Sequence, residues 1–200
     1  MIISKVEQNS PEWLALKLGV PSSSHFSEII TSTGALSKQH TKYMNRLAGE
    51  RVSGTGEETF SSKHTDKGLE REPEARSLYE IITGVDVELV GVCYQDTKKR
   101  YLCSPDGLVG KPGGLEIKCP MMTTQVEYLR ANAIPAIYFQ QIQGSLLITG
   151  RKWWDFMSYY PGIKPLIIRV TRDEPFIRML YSRLDTFCVE LADVTKQIGG

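Results

Sequence analysis

Two hundred residues with a hydrophobic share of 41% are enough for one sizeable α/β domain with its own core, read here as residues 1–200. Lys and Arg number 24 against 23 Asp and Glu, a net charge of +1, which excludes a chain that holds nucleic acid by bulk positive charge. No apolar run approaches the roughly 20 residues that cross a bilayer, and Met1–Glu7 lacks a secretory apolar stretch, so no membrane partner and a cytoplasmic location are expected.

Ser10-Pro11-Glu12 opens a helix with a cap, a proline in the first turn and an acid at the positive dipole end, and Gly19 closes it. Ser22-Ser23-Ser24 caps a second helix to about residue 31. A third fits about 37–52, and a polar loop follows over 53–65. Residues 66–83 read as a helix with Leu69, Ala75, Leu78, Tyr79 and Ile82 on its apolar side, kinked or restarted at Pro73. Strands are expected at about 86–95, 101–104, 107–110 and 115–119, then helices at about 123–131 and 136–149. Strands at about 152–160 and 165–171 flank a Pro161-Gly162 turn, and an amphipathic helix fills about 174–197. This order predicts a central mixed β-sheet flanked by helices.

Cys93, Cys103, Cys119 and Cys188 form no Cys-x-x-Cys pair and read as small buried thiols. His25, His40 and His64 share no metal-ligand spacing and read as surface residues.

The chemistry concentrates at Ser104-Pro105-Asp106-Gly107 and Leu115-Glu116-Ile117-Lys118-Cys119-Pro120. Side chains alternate along a strand, so Glu116 and Lys118 point the same way. A turn at Lys111-Pro112-Gly113-Gly114 folds that strand back beside Asp106. Two carboxylates then meet one ammonium. Such a cluster of hard oxygens favours a divalent cation, Mg²⁺ or Mn²⁺, and suits metal-assisted phosphodiester hydrolysis. Each fragment alone is ordinary, since Pro-Asp-Gly is a common turn and Glu-x-Lys a common strand pair. The combination carries the signal.

These residues resemble the core of the lambda exonuclease group of phage recombination nucleases, within the PD-(D/E)xK superfamily. The likeness extends to Trp13-x-x-x-Lys17-x-Gly19 with Ser22-Ser23-Ser24, to Gly68-x-x-x-Glu72-Pro73-x-Ala75-Arg76, and to Tyr138-x-x-Gln141-Ile142-Gln143. It implies a restriction-endonuclease-like core and two ions per site. Asp106 and Glu116 would be ligands, with the Ile117 backbone carbonyl, and Glu72 would join through water in preference to Glu70 and Glu74. Lys118 would act as base or as electrostatic stabiliser.

Gln141 and Gln143 lie about 200° apart on a helix, so one of them faces the site. The resemblance favours Gln143 for positioning and leaves Gln141 structural. Tyr138 is read as packing.

A pocket of Lys17, Ser22, Ser24 and Ser104 would take a terminal 5′-phosphate. Two departures stand out. Lys17 replaces an Arg and loses its bidentate fork, and Thr124 stands where the group has a second Arg. Lys42, Arg46 and Arg130 are the candidates to replace that charge.

The implied activity is a Mg²⁺-dependent 5′→3′ exonuclease on double-stranded DNA ends. It would release mononucleotides and leave 3′ tails for recombination in a bacterial or phage-infected cell. The implied assembly is a trimeric ring around DNA, with a single-strand annealing protein as partner. An endonuclease with the same core and a non-catalytic DNA-end binder are the alternatives.

Overall fold

Local chemistry sets the first helix as expected. Ser10 Oγ accepts the Trp13 N–H at 3.2 Å, and α1 (Pro11–Lys17) ends just before Gly19, whose φ is +66°. The computed structural model describes residues 1–57 and 63–199, and side chains within that span except those of 63–69. Residues 58–62 of the expected loop therefore lie outside the described residues, as do the side chains of His64 and Leu69.

The order is β1 (Ile2–Ser4), α1, a 3-10 turn (Ser23–Glu28), α2 (His40–Ser53), α3 (Lys63–Thr83), β2 (Val87–Glu88), β3 (Val92–Tyr94), β4 (Leu102–Cys103), β5 (Gly107–Val109) and β6 (Gly113–Lys118). Then come α4 (Met122–Ala131), a 3-10 turn (Ala136–Tyr138), α5 (Phe139–Thr149), β7 (Trp153–Ser158), β8 (Leu166–Thr171) and α6 (Glu174–Gln197). The main sheet runs β2-β5-β6-β7-β8, mixed because β6 and β7 are parallel while the other neighbours are antiparallel. A parallel pair needs a long crossover, which α4 and α5 provide. A second sheet, β1-β3-β4, packs with α1 through Ile2, Trp13, Leu16 and Val92.

Helices cover both faces of the main sheet. Phe26, Leu47, Leu146, Trp154, Phe156 and Leu180 fill the side of α2, α5 and α6, and Ala75 and Tyr79 of α3 meet Leu115, Ile117 and Met157 on the other. The expected strand at 86–95 is two short strands in different sheets. Gly91 is the join: a Cβ there would lie 2.4 Å from the Val6 carbonyl oxygen. The helix expected after Ser22 is only a 3-10 turn, and α3 continues through Pro73. Gly113 and Gly114 belong to β6 rather than to the turn. Their missing side chains leave room for the rings of Trp153 and Trp154, which added Cβ atoms would approach to 2.1 and 2.3 Å.

Candidate active site

Strand pairing assembles the cleft. Gly107 pairs with Leu115 across β5 and β6, which holds Asp106 beside the end of β6. The Ile117 N–H donates to Asp106 Oδ2 at 2.6 Å and fixes that carboxylate. Arg151, buried at the entry to β7, donates to the Gly110 and Gly113 carbonyls at 2.6 and 2.5 Å and pins the β5–β6 turn. Leu115 and Ile117 pack against α3, so Glu116 and Lys118 project together on the other face. Lys118 Nζ lies 2.6 Å from Glu116 Oε1. The cavity has a volume of about 510 Å³ and is lined by Asp106, Glu116, Ile117, Lys118, Glu72, Lys17 and the serines among others.

The glutamines are reversed relative to the expectation. Gln141 Nε2 donates to Glu116 Oε1 at 2.5 Å and lines the cleft. Gln143 faces away: it donates to the Thr171 carbonyl at 3.0 Å and accepts the Asp173 N–H at 2.9 Å, joining β8 to the start of α6. The 200° separation placed them correctly on opposite sides, but only the packing of α5 decides which side meets β6. Tyr138 both packs on Phe156, at a ring separation of 5.3 Å, and lines the cleft, with Lys118 Nζ 5.2 Å from its ring centre.

Charge repulsion is built in. Burial and the nearby Glu116 raise the pKa of Asp106 well above the carboxylate range, although Lys118 opposes this. Glu72 is also raised, by burial first, while its ion pair with Arg76 works in the other direction. Arg76 Nε in turn donates to the Asp106 carbonyl at 3.2 Å, tying α3 to the site. Glu74 instead accepts from Tyr159 Oη, and Glu70 is exposed outside the cleft lining. Burial disfavours the charge on Lys118, but Glu116 and Asp106 outweigh it and raise the pKa.

Lys17 stands 3.6 Å from the centre of the Trp13 ring. Burial lowers its pKa to about 8, and Asp106 partly restores it. Ser22 Oγ and Ser24 Oγ are 3.2 Å apart on the same wall. Ser104 lines the cleft too, but its hydroxyl donates to the Gly91 carbonyl at 2.6 Å and accepts from Trp13 Nε1 at 3.0 Å. Its visible contacts hold the ring beneath Lys17 rather than leaving a proton for phosphate. Gln8, which no motif marked, bridges the Val90 and Pro105 carbonyls at 2.9 and 2.8 Å and lines the cleft.

Thr124, Lys42, Arg46 and Arg130 do not line the cleft. The surface reading of two histidines is corrected: His25 and His40 are half-buried, His25 against Glu28 at 2.6 Å and His40 edge-on to Phe187. Cys93, Cys103 and Cys188 are buried, whereas Cys119 is half-buried at the cleft.

The donor set fits a divalent cation with hard oxygen ligands. One oxygen of Asp106 and one of Glu116 have no hydrogen-bond partner among the described residues, and a cation between them would relieve the repulsion. Among the described residues, no three His, Cys, Asp or Glu side chains form a set that could hold a metal ion. Two carboxylates alone would leave most positions around a Mg²⁺ ion to water or phosphate oxygens. Glu72, the residue implied for a second ion, is paired with Arg76.

Residues 12–152, more than half of the chain, match the model of the YqaJ-like viral recombinase domain. The chain belongs to the YqaJ-like viral recombinase family. This agrees with the resemblance to the lambda exonuclease group carried by the motifs. The recombinase fold is also that of an alkaline exonuclease, LHK-Exo of Laribacter hongkongensis, at 32% identity over 94% of this chain and 96% of that one, with a TM-score of 0.86. That protein's structure in complex with dAMP gives the same values. A phage-related exonuclease of Haemophilus somnus 129PT shares the fold at 16% identity, with a TM-score of 0.73 over 92% of this chain and 98% of that one. No curated protein matches the chain.

Proposed function

We propose that the protein is a Mg²⁺-dependent 5′→3′ exonuclease of double-stranded DNA, with Mn²⁺ able to substitute, releasing mononucleotides and leaving 3′ single-stranded tails. The observation that carries this reading is the meeting of Asp106, Glu116 and Lys118 in one cleft, with Lys17 and two serine hydroxyls on its wall. The likeness to an alkaline exonuclease that has been determined with dAMP supports a nucleotide product.

Asp106 and Glu116 would hold the ion, with the Ile117 carbonyl completing the protein ligands and Glu72 acting through water at a second ion. A bound Mg²⁺ supplies Lewis-acid polarisation of the phosphate and lowers the pKa of water. The chain's own groups do the rest. Gln141 holds the Glu116 carboxylate in place. Lys118, kept cationic by its two acidic neighbours, orients the attacking water and stabilises charge growing on the phosphate oxygens. Water adds to phosphorus as the P–O3′ bond breaks; the attacking water gives one proton to solvent, and the departing 3′-oxygen takes one from solvent. The released nucleotide keeps the old terminal phosphate, and the shortened strand carries a new 5′-phosphate. Each cycle therefore regenerates the end that Lys17, Ser22 and Ser24 would grip.

The chain would act in the cytoplasm of a bacterial or phage-infected cell, as a trimeric ring that passes the 3′ strand to a single-strand annealing protein. A time course on uniquely labelled linear duplex in Mg²⁺ tests the activity. Mononucleotides released from the 5′ end support it. Internal fragments indicate an endonuclease, and intact DNA indicates an end-binding module.

A further inference from the structure

Behind the Lys17–Ser22 wall of the cleft lies a second chamber of about 460 Å³ between α1 and α2. Lys17 and Ser22 line both spaces, and the chamber adds His25, Tyr43 and Arg46. We propose that Arg46 is the second cation for the terminal 5′-phosphate, reaching it from the chamber side and setting the preference for phosphorylated ends. This rests on the reading of the cleft as a nuclease site.

The first reason is charge. A phosphate monoester carries nearly two negative charges at neutral pH. On the cleft side Lys17 offers one point charge without a fork, and the Ser104 proton is engaged by Gly91. A single ammonium matches half of that load.

The second reason is placement. Arg46 rises from the middle of α2 with its guanidinium 4.8 Å from the centre of the Tyr43 ring. Tyr43 Oη accepts the Ser22 N–H at 3.1 Å. One short chain of contacts thus joins the guanidinium to the cleft wall.

The third reason is that this guanidinium is under-used. Its carboxylate partner among the described residues is Glu28 Oε1, at 3.7 Å, and His25 Nδ1 holds the same oxygen at 2.6 Å. Of the other acids at the chamber, Glu50 accepts the Gly19 N–H at 2.9 Å, while Glu57 is exposed. Five donors on a rigid fork suit a phosphate, and among the described residues most of them have no partner.

The other candidates are worse placed. Lys42 and Arg46 share a groove along α2 that includes neither Lys17 nor Ser22, but Lys42 does not line the chamber that Lys17 and Ser22 reach. Arg130 is exposed on α4 and lines neither space.

The test compares wild type, Arg46→Gln, Arg46→Lys and Lys42→Gln on duplexes that differ only in a 5′-phosphate or a 5′-hydroxyl. Arg46→Gln is expected to raise KM on the phosphorylated duplex about tenfold, the loss of one charge-assisted contact, with kcat and the hydroxyl duplex little changed. Arg46→Lys should recover most of the preference, and Lys42→Gln should keep all of it. A phosphate preference in wild type that survives Arg46→Gln, or that Lys42→Gln removes instead, overturns the assignment. An equal fall of Arg46→Gln on both ends also overturns it, as a structural effect. No end preference in wild type removes the phosphate grip and this assignment together, and leaves the metal chemistry of the cleft standing.

Discussion

At the scale of single residues, the two acids and the two glutamines have separable consequences. Asp106→Asn or Glu116→Gln keeps shape and removes a charge from the proposed ligand pair, so cleavage in Mg²⁺ should fall by about a thousandfold while the fold persists. Turnover and circular dichroism on the same samples check both halves, and near-normal turnover would remove these residues from the chemistry. Gln141→Ala frees Glu116 to swing, which should lower activity about 10- to 100-fold with an unchanged melting temperature. Gln143→Ala should do the reverse, because it strands the Asp173 N–H and the Thr171 carbonyl. A loss of about 2 kcal/mol in denaturant unfolding with normal turnover is expected there. Identical profiles for the two variants would contradict the division of roles.

Lys17 gives a pH dependence with a definite sign. Its pKa is lowered to about 8 by burial, so the ammonium is charged below that value and neutral above it. The ratio of kcat/KM for 5′-phosphorylated over 5′-hydroxyl duplex should be full near about pH 7 and fall toward its floor by about pH 9.5. In Lys17→Ala the ratio should be low and flat. A wild-type ratio that rises with pH would exclude Lys17 as the phosphate cation.

At the scale of elements, β6 positions the site because it can lie close to β7. Gly113 and Gly114 admit the two tryptophan rings, and the strand they begin carries Glu116 and Lys118 to its far end. Gly114→Ala should therefore lose about 2 kcal/mol by overpacking against Trp154, seen as a melting temperature lowered by about 5 °C. An unchanged melting temperature would show that the Trp154 ring yields easily. Here the sequence was legible as a strand and a turn, but the turn was carried two residues too far, through Gly113 and Gly114. Glycine pairs signal turns from sequence alone, and only the neighbouring strand reveals that these two make room for rings.

At the scale of the whole molecule, a nearly neutral chain needs something other than net charge to stay on a polyanion. A closed ring built from one heterologous interface would provide it by topology. The expected result is a trimer in sedimentation or mass photometry, with long continuous digestion after excess trap DNA is added. A monomer that releases DNA after one or two nucleotides would refute the ring and leave the cleft chemistry intact.

The sequence by itself determined the mixed α/β architecture, the family, and the pairing of Glu116 with Lys118. Each of these is written in local order: helix caps, the two-residue period of a strand, and motifs read along one chain. Tertiary structure decided what depends on distant segments. It split residues 86–95 between two sheets and turned Gln141 rather than Gln143 to Glu116. It bound Ser104 to Trp13 and Gly91, and set Arg46 behind the Lys17 wall. Periodicity fixes which residues share a face, but the face that meets the site is chosen by packing between elements far apart in sequence.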